Sequence, residues 1–176
     1  MRGQKSNFTL CMRDVSGRVV DGSLRHGHNV FTDTGRDLLT QLVAWGSVAT
    51  QDLARTQRRA RYIGVGGDSQ AEDQSVVRLS SPVPVTAGVY LKALDPTLTI
   101  FTTLTSVRLK TVFATTDITY SAPAVVVSEA GLFFDVSPGG VLQVSSTDNV
   151  PAFYKTFTPV VKLNSFTMEI VWELVF

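Results

Sequence analysis

The clearest pattern in the chain is a strict alternation of apolar and polar positions over residues 166–176. One set of alternate positions is entirely apolar: Phe166, Met168, Ile170, Trp172, Leu174 and Phe176. The other set contains Glu169 and Glu173. Because side chains on a strand point alternately to its two faces, this pattern predicts a half-buried strand with Trp172 on the core face.

Similar short segments of β pattern occur along most of the chain. They cover residues 6–13, 17–20, 98–104, 107–113, 124–128, 132–136 and 141–145. Turn residues separate several of them, notably Asp14-Val15-Ser16-Gly17 and Ser137-Pro138-Gly139-Gly140. The 25 valines, 20 threonines and 4 isoleucines are of the β-branched type that packs well on a sheet. We therefore predict a mainly β protein, a β-sandwich or jelly-roll-like single domain over residues 1–176 with one short helix.

The helix is predicted over residues 34–45, where the apolar spacing changes to about 3.6. Leu38, Leu42 and Trp45 fall on its apolar face and are expected to pack on the sheet as structural residues. Thr34 is expected as the N-cap, Asp37 as the third helical residue and Gly46 just beyond the C-terminal end. A second, short helix is possible by pattern over residues 72–79.

Charge is balanced, with 16 Lys+Arg against 15 Asp+Glu, and charged residues make up only 18% of the chain. This composition excludes disorder and argues against a strongly basic nucleic-acid binder. The first residues lack the apolar run of a secretory signal and no stretch is long and apolar enough to span a membrane, so we expect a soluble protein made in the cytosol. Four arginines, Arg55, Arg58, Arg59 and Arg61, are candidate subunit contacts; a solvated loop or a phosphate-binding site is the alternative.

Few residues are arranged for chemistry. Cys11 is the only cysteine and is expected to be buried and inert. His26 and His28 form a His-x-His pair in the polar segment 21–29 (DGSLRHGHN). We interpret them as two solvated imidazoles of a loop, with a metal site as the alternative, because no second Cys/His cluster completes a zinc set. Neither a nucleophile elbow nor a phosphate-binding loop is present, so we predict no enzyme, no catalytic residue, no cofactor and no metal.

Glu129 and Gly131 stand out because they lie inside the apolar run VVVSEAGLFF. A carboxylate there requires hydrogen bonds or a basic partner. We expect Glu129 to accept backbone N–H groups at an unusual turn that Gly131 permits, by a positive φ or a close backbone approach. A catalytic role for Glu129 is the alternative.

Four segments together resemble a known group of proteins. They are Asn29–Leu39 (NVFTDTGRDLL), Tyr62–Gly67 (YIGVGG), Ser128–Phe133 (SEAGLF) and Phe157–Lys162 (FTPVVK), the last followed by the strand around Trp172. Their order and spacing are similar to those of small virion structural proteins of tailed bacteriophages. The resemblance covers nearly the whole chain, from about residue 29 onward.

This resemblance implies a non-enzymatic structural protein of the virion, made in the host cytoplasm. It would act in multiple copies in the tail, neck or collar, baseplate or fibre attachment, or as a capsid decoration. The implied partners are further copies of itself and other virion proteins, without nucleic-acid recognition or a membrane. The alternative is a lectin-like β-sandwich module that binds a glycan, which exposed aromatic residues on one concave face would favour.

Overall fold

The protein is a sandwich of two five-stranded antiparallel sheets, seen in a computed structural model that describes residues 5–37, 60–97, 100–103, 106–118, 124–137 and 140–175. The strands are β1 (Lys5–Arg13), β2 (Arg25–His28), β3 (Val30–Phe31), β4 (Ala60–Gly66), β5 (Leu91–Ala93), β6 (Ile100–Thr103), β7 (Ser106–Phe113), β8 (Ala124–Phe134), β9 (Val136–Ser137), β10 (Gly140–Val141), β11 (Phe153–Leu163) and β12 (Thr167–Val175). Sheet 1 has the order β2-β1-β12-β7-β6 and sheet 2 the order β3-β11-β8-β4-β5. The predicted fold class is confirmed.

The core lies between the two sheets and is built by alternation along each long strand. In β12 every second residue is buried, and Trp172 has no exposed surface. The ring of Phe8 on β1 stacks on Phe157 of sheet 2 and meets Trp172 edge-on, with centroids 5.4 and 5.0 Å apart. The half-buried strand predicted at the end of the chain is therefore confirmed through residue 175.

The helix begins earlier than predicted. Residues 33–37 are helical, and Thr32 is the N-cap: its Oγ1 accepts a hydrogen bond from Gly35 N at 3.1 Å, and its carbonyl accepts from Arg36 N. The assignment of Thr34 as N-cap and Asp37 as third residue is therefore wrong. Thr32 takes the position because its hydroxyl also donates to the Pro151 carbonyl at 2.6 Å, which joins the helix start to sheet 2.

The segment Glu129-Ala130-Gly131 is not a turn. It lies in the middle of β8, a single strand of 11 residues that pairs with β4 on one side and β11 on the other. An irregularity is present in the pairing, because three residues of β11 (157–159) lie opposite one residue of β8. Residues 127–133 of β8 are all buried, so Glu129 lies in the covered middle of a central strand.

No helix forms over residues 72–79 either. That region belongs to the crossing loop, residues 67–84, which runs from the end of β4 over the outer face of sheet 2. Asp73 Oδ1 accepts hydrogen bonds from the backbone N–H and the hydroxyl of Ser75, at 2.8 and 2.6 Å. Such a local side-chain bond competes with helix formation.

The remaining differences concern short strands. Residues 17–20 make only an isolated bridge, Arg13 to Val19, after the predicted turn in which Gly17 has a φ of +81°. The segment assigned to a polar loop contains β2, which pairs with β1. The predicted hairpin is confirmed, because Ser137 pairs with Gly140.

In the described part of the chain, no helix is long and apolar enough to cross a membrane.

Candidate functional site

The candidate site lies around Glu129 in sheet 2, with Gly131 two residues further along the same strand. Glu129 has no exposed surface, although glutamate side chains in general are charged at neutral pH. It lies on the side of β8 that faces the crossing loop, opposite Gly66 on β4 and Thr156 on β11. A carboxylate in this position must satisfy both oxygens within the protein.

Both carboxylate oxygens have a donor. Tyr154 Oη on β11 donates to Glu129 Oε2 at 2.6 Å, and the backbone N–H of Ser81 in the crossing loop donates to Oε1 at 3.0 Å. The prediction that Glu129 accepts a backbone N–H is confirmed for Ser81, whereas its second donor is a side chain. The carboxylate thus joins two strands of sheet 2 to the loop that covers them.

Glycine at position 66 makes room for this carboxylate. A Cβ atom built on Gly66 would overlap the Glu129 carboxylate itself. Gly131 has a related role: a Cβ there would lie 2.8 Å from Cε2 of Phe133 and 3.0 Å from Cβ of Pro151. Gly131 is absent from the residues with positive φ among those the structure describes, so the positive-φ prediction is wrong. The approach that Gly131 permits is made by the side chains of Phe133 and Pro151 rather than by the backbone, which was the expectation.

The electrostatics of the cluster favour a protonated tyrosine. Burial raises the pKa of Tyr154, and the hydrogen bond to Glu129 together with its negative charge raises it further. The phenol also accepts a hydrogen bond from Gln70 N at 3.4 Å. Tyr154 therefore remains a neutral donor and holds the carboxylate in place.

This arrangement does not favour catalysis by Glu129. The carboxylate is covered on all sides, and its donors are a phenol with a raised pKa and a backbone amide. A general acid or base must be within hydrogen-bond reach of a substrate. A shallow cavity of about 300 Å³ lies elsewhere, and its lining includes Met12, Arg25, Pro159 and Phe166 but not Glu129.

The segments of the phage resemblance are neighbours in the structure. Phe31 and Val30 of the first segment pair with β11, and residues 62–66 of the second lie in β4. The third segment is the middle of β8, and the last is in β11. Their glycines share one function. A Cβ on Gly35 would overlap the Ala152 carbonyl, as one on Gly66 would overlap Glu129. The motif positions are therefore explained by close packing within sheet 2.

The other predicted residues are distributed as follows. Arg61 is exposed and its Nη1 lies 3.3 Å from Asp135 Oδ1, with its guanidinium over the ring of Tyr62. Leu38, Leu42, Trp45, Arg55, Arg58 and Arg59 lie outside the described residues. Cys11 is buried, as predicted, but it lies on the outer face of sheet 1 beside Glu169. Burial is the main cause that raises the pKa of its thiol, and the negative charge of Glu169 raises it further.

Sequence reasoning missed Tyr154, Ser81 and Glu72. Glu72 Oε1 accepts from Thr156 N at 2.9 Å and pairs with Lys155, which fastens the crossing loop to β11. Tyr154 lies between two apolar-rich segments and has no charge pattern to mark it. The contact of Ser81 is made by its backbone, which a sequence pattern does not reveal.

Within the part of the chain that the structure describes, no group of three or more histidine, cysteine, aspartate or glutamate side chains is placed to hold a metal ion. Comparison with protein-family models, with curated proteins and with solved structures finds no match.

Proposed function

We propose that the protein is a non-enzymatic structural component of a bacteriophage virion that acts in multiple copies in the tail, neck or collar, baseplate or fibre attachment, or as a capsid decoration. The observation that supports the proposal is that strands from all four segments similar to phage virion proteins are neighbours in sheet 2, the first segment through Val30 and Phe31. Their distinctive residues, Thr32, Gly66 and Glu129, fix the packing of that sheet rather than line a cavity.

The chemistry of the buried charged groups supports this role. The buried Glu129 and the half-buried Glu72 both fasten the crossing loop to the strands below it. An assembly protein needs a rigid scaffold with loops for its neighbours. The sandwich has such a scaffold, and the contacts of Glu129 and Glu72 hold the crossing loop on it.

The glycan-binding alternative has less support. Glycan sites commonly use exposed aromatic rings, but each aromatic side chain that the structure describes is buried or half-buried. Trp172, one of the two tryptophans, is fully covered. The exposed large apolar side chains of the described residues are aliphatic, including Val126 and Val161.

Quantitative mass spectrometry of purified phage particles, combined with light scattering of the isolated protein, tests the proposal. The expected result is a fixed copy number above one per particle, with self-association or binding to a larger ring. Absence from intact particles would contradict it, as would a strict monomer present once per particle. A glycan array is the matched test of the alternative, and a specific sugar bound by the isolated protein would favour that alternative.

A further inference from the structure

His26 and His28 lie on β2, the edge strand of sheet 1, rather than in a loop. Both side chains are exposed, and because they are two residues apart on a strand they lie on the same face. Gly27 between them faces the other side, where its Cβ position is 2.8 Å from Cε of Lys155. The strand thus presents two imidazoles to solvent on the outer face of the sandwich.

The imidazole of His26 already has a hydrogen-bond partner at its Nδ1 atom. Nδ1 of His26 lies 3.0 Å from Oγ1 of Thr9, its neighbour on β1. Histidine ligands in metal sites commonly use one ring nitrogen for such a bond and the other for the metal. The Thr9 contact therefore leaves Nε2 of His26 as the ligand atom.

We propose that His26 and His28 form half of a binding site for a borderline transition metal such as Zn²⁺, and that a second copy of the chain completes it. Imidazole nitrogen is a preferred ligand of Zn²⁺, which takes four ligands in tetrahedral geometry at about 2.0–2.1 Å. One chain supplies two nitrogens. The described residues add no third titratable ligand, so the remaining two positions are open.

The sequence around Gly27 suits pairing with a second copy of the chain related by a two-fold axis. Among the described residues β2 pairs only with β1, so its other edge has no strand partner there. In an antiparallel pair centred on Gly27, His26 stands opposite His28 of the partner subunit. Side chains directly opposite each other share a face, with Cβ atoms about 4.5–5.5 Å apart. The symmetric His-Gly-His sequence thus brings four imidazoles together in an isologous contact.

This inference goes beyond the proposed function, since a virion protein can assemble without a metal. Failure of the metal site would leave the copy number in particles unchanged. Absence of the protein from particles would leave its zinc binding unchanged. The two proposals are therefore tested separately.

Zinc titration of the purified protein, followed by calorimetry and by light scattering, is the direct experiment. We expect one Zn²⁺ bound per two chains and a doubling of the mass that EDTA reverses. His26→Ala and His28→Ala should each weaken zinc binding at least about tenfold and abolish the doubling. Arg18→Ala, an exposed change in the connection between β1 and β2, is the matched control, and Mg²⁺, which prefers oxygen ligands, should have no effect.

Both histidines are exposed, so their alanine variants should keep the fold, which circular dichroism checks. One Zn²⁺ per chain without a change in mass would overturn the proposal. Zinc-induced dimerisation that persists in both histidine variants would also overturn it, as would the absence of zinc binding.

Discussion

The buried carboxylate of Glu129 depends both on hydrogen-bond donors and on the space that a neighbouring glycine leaves. Burying a carboxylate is costly unless its oxygens are hydrogen-bonded. Tyr154 and the Ser81 amide supply those bonds, while Gly66 leaves the volume that the carboxylate occupies. Each of these residues has a role only because the others are present, so their effects on stability should be coupled.

Removing the Glu129 side chain should destabilise the fold without affecting a chemical turnover. Glu129→Ala leaves the Tyr154 hydroxyl and the Ser81 N–H without their acceptor, at a cost of about 1–3 kcal/mol. Glu129→Gln should cost less, because the amide can accept from Ser81 and donate to the phenol. Urea denaturation measures both. Equal stability of the alanine variant and the wild type would contradict the structural role.

Gly66→Ala tests the space that the carboxylate needs. The added Cβ overlaps Glu129, so we expect a loss of about 1–3 kcal/mol, in the range of an overpacked core. The same substitution in a Glu129→Ala background should cost less, with a coupling of at least about 0.5 kcal/mol in a double-mutant cycle. Additive losses would show that the two positions do not compete for the same volume.

Predictability from sequence differs among the elements, for physical reasons. The strand ending at residue 175 was predictable because one of its faces is buried, which imposes a period of two. The central place of β8 in sheet 2 was not predictable, because the middle of a strand that is covered on both faces shows no alternation of apolar and polar residues. The N-cap was displaced to Thr32 by tertiary bonds to Pro151, and such long-range partners are not visible in local sequence.

The crossing loop is an element that only the structure reveals. Val76 and Leu79 are its buried residues, and they pack with Leu91, Phe133 and Tyr154 on the outer face of sheet 2. The sequence of this loop is polar overall, so these two residues do not form a pattern. This small apolar cluster and two hydrogen bonds hold the loop on the sheet. Thr156 of β11 donates to Glu72 of the loop, and Ser81 of the loop donates to Glu129 of β8.

Leu79→Ala should therefore destabilise the protein even though it lies in a loop. Leu79 is 3% exposed, and a buried leucine-to-alanine change costs about 2–5 kcal/mol. Val77→Ala, at a position that is 62% exposed, is the matched control and should change stability by less than about 0.5 kcal/mol. Chemical denaturation of both variants measures the difference. Similar stabilities would mean that the loop is not docked.

The outer face of sheet 1 should make stability depend on acid pH through Glu169. Burial acts to raise the pKa of this carboxyl, but the hydrogen bonds and charges of Arg13 and Lys110 outweigh it and lower the pKa. Its stabilisation is then fully present above the ordinary glutamate pKa of about 4.3 and is lost as the pH falls through the lowered value.

Glu169→Gln should remove this part of the pH dependence. The free energy of unfolding of the variant, measured by urea denaturation from about pH 6 to about pH 3, should fall less steeply than that of the wild type. Parallel curves for the two proteins would contradict the assigned contacts.

The whole molecule is a two-sheet sandwich in which Glu129, Glu72 and Tyr154 hold the crossing loop in place. Charge is nearly balanced, with a formal net charge of +1, so contacts with neighbours would depend on shape and local pairing rather than on a strong overall field. Such a molecule suits a repeated place in an assembly.

Electron microscopy of the native phage particle, with antibody labelling of this chain, tests the proposed virion role. We expect label at a defined ring, collar, baseplate, fibre attachment or capsid position, with several copies related by the symmetry of the particle. Label that is absent from intact particles, or a soluble protein found only in the infected cell, would contradict it.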